Sequence, residues 1–96
     1  MKSDYQLKII TKLKQLREEN GFSQAEIAKK LDISPGQLGN IESYNRSHKY
    51  TIAQILTLCD IYNYSIEQLM SIDNKQYSKI TPRDIVSLIV KYQNNK

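Results

Sequence analysis

Between Ser23 and Tyr44 the sequence SQAEIAKKLDISPGQLGNIESY starts two helices in quick succession. Ser23 followed by Glu26, and Ser34 followed by Gln37, are both capping boxes, in which the serine oxygen accepts from a first-turn amide and the longer side chain reaches back to the cap. Pro35 strengthens the second start, because the amide it lacks would have had no helical partner. Ile27, Ala28 and Leu31 fall on one face of the first helix, and Leu38 and Ile41 on one face of the second. Only Asp32 and Ile33 separate them, so the turn is tight and the two helices must cross steeply.

This pattern is a helix-turn-helix. Counted from Gln24, apolar or small residues stand at the fourth, fifth, eighth, tenth, fifteenth and eighteenth positions: Ile27, Ala28, Leu31, Ile33, Leu38 and Ile41. The fifth must be small, since the second helix crosses over it, and Ala28 meets that need. On these residues the chain resembles the Xre/Cro-type family of phage and bacterial repressors, from about Leu13 (LKQLREENGFSQAEIAKKL) to about Met70. The resemblance implies an all-α fold: a five-helix lambda-repressor-like bundle containing the helix-turn-helix, with an extra C-terminal helix. It also implies double-stranded DNA as partner.

Composition agrees with that implication without carrying it. The chain has 14 Lys+Arg against 10 Asp+Glu, a net charge of +4. Residues 1–50 hold nine of the bases and six of the acids, so the excess lies on the half that contains the motif. A phosphate-binding face would need such a bias, although +4 is also ordinary solubility charge. Cys59 is the single cysteine, which excludes an internal disulfide and a cysteine-based zinc site. No run of about eighteen apolar residues exists to span a membrane, and the N-terminus lacks the pattern of a secretory signal. A cytoplasmic setting follows as the expectation, with no cofactor and no metal. Paired nucleophile and base, Gly-rich phosphate loop and carboxylate cluster are all missing, which argues against an enzyme.

Along the chain, a first helix is expected from about Asp4 to Asn20, with Ile9, Ile10, Leu13 and Leu16 inward and Gly21 and Phe22 closing its end. The resemblance implies that Arg17 pairs with Glu42, tying this helix to the third as a structural ion pair. The second helix, about Gln24 to Leu31, should lie across the DNA backbone, with Ser23 and Gln24 at a phosphate. Asp32 stands where the family usually has glycine, which calls for a left-handed backbone that aspartate tolerates at some cost.

The third helix, about Pro35 to Tyr44, would enter the major groove. Pro35, Gly36, Gln37 and Asn40 are the residues placed at base edges. Pro35 and Gly36, like Gly39, cannot hydrogen-bond a base with a side chain. Gln37 and Asn40 can pair bidentately with adenine, but the capping box turns Gln37 back towards Ser34, leaving Asn40 as the best reader. The loop SYNRSHKY is two residues longer than the family's usual connection, and Tyr44 replaces its usual helix-ending glycine. Asn45, Arg46, Ser47 and Lys49 are the expected phosphate contacts there, and His48 is expected to be exposed and neutral.

Thr51 with Gln54 and Ser65 with Gln68 start a fourth and a fifth helix by further capping boxes. Ile52, Ile55, Leu56, Cys59 and Tyr62 in the one, and Ile66, Leu69 and Met70 in the other, are expected to complete the core. These divisions place a DNA-binding domain at 1–72, a linker at 73–80 and a C-terminal helix at 81–94. Ile85, Leu88, Ile89 and Tyr92 form an apolar face on that last helix. It can pack back on the domain or pair with a second copy, and a homodimer contact is the preferred reading. The function expected is sequence-specific transcriptional regulation, most simply repression. The competing reading is a protein-interaction module of the same fold, an antitoxin or anti-repressor type of partner.

Overall fold

A serine or threonine oxygen starts each helix in the computed structural model, which describes residues 1–73 and 80–94. Among those residues there are six helices and no strand: α1 (Asp4–Glu19), α2 (Gln24–Lys30), α3 (Pro35–Glu42), α4 (Ile52–Ile61), α5 (Ile66–Met70) and α6 (Pro82–Gln93). The cap is reciprocal at Ser3/Gln6, Ser23/Glu26, Ser34/Gln37, Thr51/Gln54 and Thr81/Asp84. The α5 start departs from the expected box. The Ser65 oxygen accepts from the Gln68 amide while its hydroxyl donates to Glu67 Oε2 at 2.7 Å, and the cap is not reciprocal.

Helix ends are equally local. After α1 the Phe22 amide donates to the Arg17 carbonyl and the Gly21 amide to Glu18, both at 3.0 Å, the paired bonds of a Schellman motif. Ile33 to Ala28 with Asp32 to Lys29 closes α2 in the same way, and Tyr64 to Cys59 with Asn63 to Asp60 closes α4. The motif needs a left-handed residue, and Gly21 (φ 76°), Asp32 (φ 57°) and Asn63 (φ 50°) supply it. Helix α3 ends differently. Ser43 is extended (φ −76°, ψ 132°), so the chain leaves this helix without the left-handed turn that Tyr44 would have resisted.

The core joins Ile9, Ile10, Leu13, Ile27, Ala28, Leu38, Ile55, Leu58, Leu69 and Met70, all buried. One expectation about α4 needs correction. Leu56 faces solvent and Leu58 takes the inner position. The stretch IAQILTLCDI is apolar on nearly every side, so periodicity alone could not choose its inner face.

Helix α6 packs against α1 and α5. Leu88 and Tyr92 are buried in the chain's own core, with Ile85 and Ile89 half-buried against it. This differs from the homodimer contact expected of those four side chains. The reason is polar as well as apolar: the buried Gln6 side chain donates to the Tyr92 carbonyl, and the Tyr92 hydroxyl donates to the Tyr50 carbonyl at 2.9 Å. The expected linker falls mainly on residues 74–79, and the expected tail ends on 95–96, both outside the described residues.

Candidate nucleic-acid interface

The helix-turn-helix is set by one carboxylate. Glu42, at the last turn of α3, accepts from Arg17 Nε at 2.8 Å and Arg17 Nη2 at 3.0 Å, and also from Gln24 Nε2 at 2.9 Å. Arg17 Nη1 adds a bond to the Phe22 carbonyl at 2.7 Å. The two charged side chains are nearly withdrawn from water, at 9% and 2% exposure, so the pair is desolvated and its geometry has to be complete. The hydrogen bond to Glu42 holds the Arg17 guanidinium above its ordinary pKa. This desolvated pair, with the exposed Gln24 amide on its outer edge, therefore links α1, α2 and α3. Gln24, expected at a phosphate, spends its side-chain amide on this pair.

Two exposed cap sequences lie beside it. Ser23 and Ser34 each accept from the third helical amide, and Glu26 and Gln37 return the bond at 2.9 and 2.8 Å. The Ser23 amide and hydroxyl hold the Glu26 carboxyl below its ordinary value. The Gln37 carbonyl oxygen is thus turned to Ser34, as the sequence implies. Pro35, Gly36 and Gln37 are exposed, and Asn40 and Gly39 are half-exposed, on the N-terminal part of α3. A methyl group at Gly36 would meet nothing closer than Ser34 Oγ at 3.9 Å, and one at Gly39 nothing closer than Gln24 Oε1 at 3.8 Å. The fold itself has room for alanine at both.

The loop after α3 extends the same surface. Tyr44, Asn45, Arg46, Ser47 and His48 are all exposed. Lys49 is placed otherwise: its ammonium donates to the Gln93 carbonyl at 2.9 Å and lies 5.9 Å from the centre of the Tyr92 ring. Tyr50, at the end of the loop, is buried in the core. Among the second-helix lysines, Lys30 lies over the Phe22 ring at 5.6 Å.

Lys2 is the residue that sequence reasoning missed. It is buried, and its ammonium donates to the Ser43 carbonyl and, at 2.8 Å, to the Arg46 carbonyl. Desolvation lowers its pKa. Its partners stand more than forty residues away, so no local pattern could have announced the contact.

With α2, its left-handed turn and α3 in place, residues 10–75 match the family described as "Helix-turn-helix domain". The chain belongs to the helix-turn-helix domain family. It is also similar to the HTH-type transcriptional regulator RamB of two Mycobacterium tuberculosis strains, CDC 1551 / Oshkosh and ATCC 25618 / H37Rv, at 40% identity over 52 residues in each. That segment is 54% of this chain and 10% of each relative, so this helix-turn-helix chain spans about a tenth of the length of the curated relatives it matches. No solved structure matches it significantly. Among the described residues, no helix is long and apolar enough to cross a membrane.

Proposed function

We propose that this chain is a sequence-specific, double-stranded DNA-binding transcriptional regulator of the Xre/Cro type, acting as a repressor in the cytoplasm. In this reading α1 to α5 form a lambda-repressor-like bundle within residues 1–72, and α3 enters the major groove. The observation that carries it is the Arg17–Glu42–Gln24 cluster, which fixes α3 at its C-terminal end while Pro35, Gly36, Gln37 and Asn40 face outward. The family, and similarity to proteins named as transcriptional regulators, support the same reading.

The roles divide by chemistry. Asn40 pairs with a base edge, and the bare backbone at Gly36 and Gly39 lets the helix seat closely, so apolar contact and DNA shape share the readout. The exposed Asn45, Arg46 and Ser47 side chains take phosphates, with Ser23 and the start of α2 on the other side. Lys49 joins them only by leaving α6. Two copies pair through the ridge of α6 that its own core leaves uncovered, Val86 and Val90. Such a dimer reads two half-sites about one helical turn, roughly 34 Å, apart.

Dimethyl sulfate footprinting on the DNA upstream of the gene tests groove and symmetry together. Guanine N7 lies in the major groove. Protection of N7 in two patches one turn apart supports the reading, and a bound complex with N7 fully reactive overturns the groove assignment.

The protein-interaction reading has two observations in its favour. Pro35, Gly36 and Gly39 give α3 a surface poor in hydrogen-bonding side chains, and Val86 and Val90 add exposed apolar area on α6. An antitoxin or anti-repressor type of partner would use both, and its complex would be insensitive to added duplex.

A further inference from the structure

The loop at 43–50 is held from both ends of the chain. From the N-terminus, the Lys2 ammonium donates to the carbonyls of Ser43 and Arg46. From the C-terminus, the Tyr92 hydroxyl donates to the Tyr50 carbonyl at 2.9 Å, and the Gln93 carbonyl accepts from Lys49 at 2.9 Å. Tyr92 is in turn fixed by the buried Gln6 amide on its own carbonyl. The carbonyls of residues 43, 46 and 50, spread along the loop, are thus gripped by side chains that belong to neither flanking helix. Between these grips Asn45, Arg46 and Ser47 point into solvent.

A loop without regular structure can present cationic and polar side chains in one arrangement only if its backbone is restrained. Otherwise the ordering cost falls on the binding step. The helix-turn-helix does not supply that restraint, because α3 ends at Glu42 in an extended Ser43. The chain ends do. The Lys2 clamp is also partly desolvated, and burial lowers the pKa of its ammonium, which marks a contact kept at some cost.

We infer that Lys2 and Tyr92 are positioning residues for DNA binding: they pre-order the 43–50 loop so that Arg46 and its neighbours meet the phosphate backbone without further folding. Lys2 acts on the arginine through the carbonyl of that same residue. The inference rests on the DNA-binding reading above and adds a role for the two terminal segments.

The test is a double-mutant cycle read by anisotropy on a short, labelled, mixed-sequence duplex at low salt. Tyr92→Phe removes only the hydroxyl, so no charge is lost and any weakening cannot be lost attraction to phosphate. Lys2→Met approaches the loop from the other end and keeps the assay decisive should the buried tyrosine variant fold poorly, which circular dichroism would show. Each variant should weaken binding by about three- to tenfold, the worth of one restraining hydrogen bond. In an Arg46→Ala background the same changes should cost less than about twofold, because the side chain they position is gone. Amide exchange across 44–50 should quicken in both variants with no DNA present. Equal weakening in the two backgrounds, or unchanged binding in a chain that Arg46→Ala does weaken, overturns the positioning role while leaving the DNA-binding reading intact. Failure of the unaltered chain to bind any duplex overturns both, whatever the exchange rates.

Discussion

Arg17 and Glu42 show how much a single contact can organise. Their side chains are almost dry, and each is the other's charge partner. Arg17→Met leaves a buried carboxylate with only the Gln24 amide on it and should destabilise the chain by about 3–5 kcal/mol in urea unfolding. The pairing itself was available from the resemblance; the third member, Gln24, was not, because its position at the start of α2 suits a phosphate equally well. Glu26 gives the residue scale its pH dependence. Hydrogen bonds from Ser23 depress its folded pKa, so its stabilising effect is complete above the unfolded carboxylate value, about 4.3, and is lost as pH falls through the lower folded value. Glu26→Gln keeps the cap acceptor, as Gln37 and Gln54 do in this chain, and removes the charge. Thermal unfolding of that variant should fall less steeply on the acid side than that of the parent, with little change near neutral pH.

At the scale of elements, helix starts were legible because they are side-chain chemistry within four residues. Thr51/Gln54, Thr81/Asp84 and Ser3/Gln6 all form the boxes that their three-residue spacing implies. At α5 only half of the box forms: Ser65 accepts from the Gln68 amide, and its hydroxyl donates to Glu67. Which face of α4 points inward was not legible, because almost every side of that helix is apolar. The weak helix propensity of α3 makes a prediction of opposite signs. Alanine fits at Gly36 and at Gly39, so either substitution should raise stability by about 0.5–1 kcal/mol. If α3 seats its bare backbone against the duplex, the same methyl groups should weaken DNA binding. Calorimetry and a binding titration on the two variants check both signs, and a gain in both would remove the case for close approach.

At the scale of the whole molecule, what could not be read was what joins distant parts. Lys2 to Ser43 and Arg46, Gln6 to Tyr92, and Tyr92 to Tyr50 all span more than forty residues, and the two Tyr92 bonds tie α6 to the core instead of leaving it apart. Burial of Leu88 and Tyr92 leaves Val86 and Val90 as the exposed part of α6. Base reading and phosphate holding should separate by mutation. Asn40→Ala should cost about 1–3 kcal/mol at the cognate site alone, and Arg46→Ala should weaken all sequences alike and lower the salt slope by about one. Retained discrimination in Asn40→Ala would move base readout elsewhere on α3.

On the proposed function, this helix-turn-helix chain reads double-stranded DNA. Fluorescence anisotropy on the duplex upstream of its gene, against a scrambled duplex and at two salt concentrations, tests it most directly. Binding should be tighter to the upstream duplex, with affinity falling steeply as salt rises because phosphate contacts release counterions. Equal, weak and salt-insensitive binding to both duplexes would contradict it.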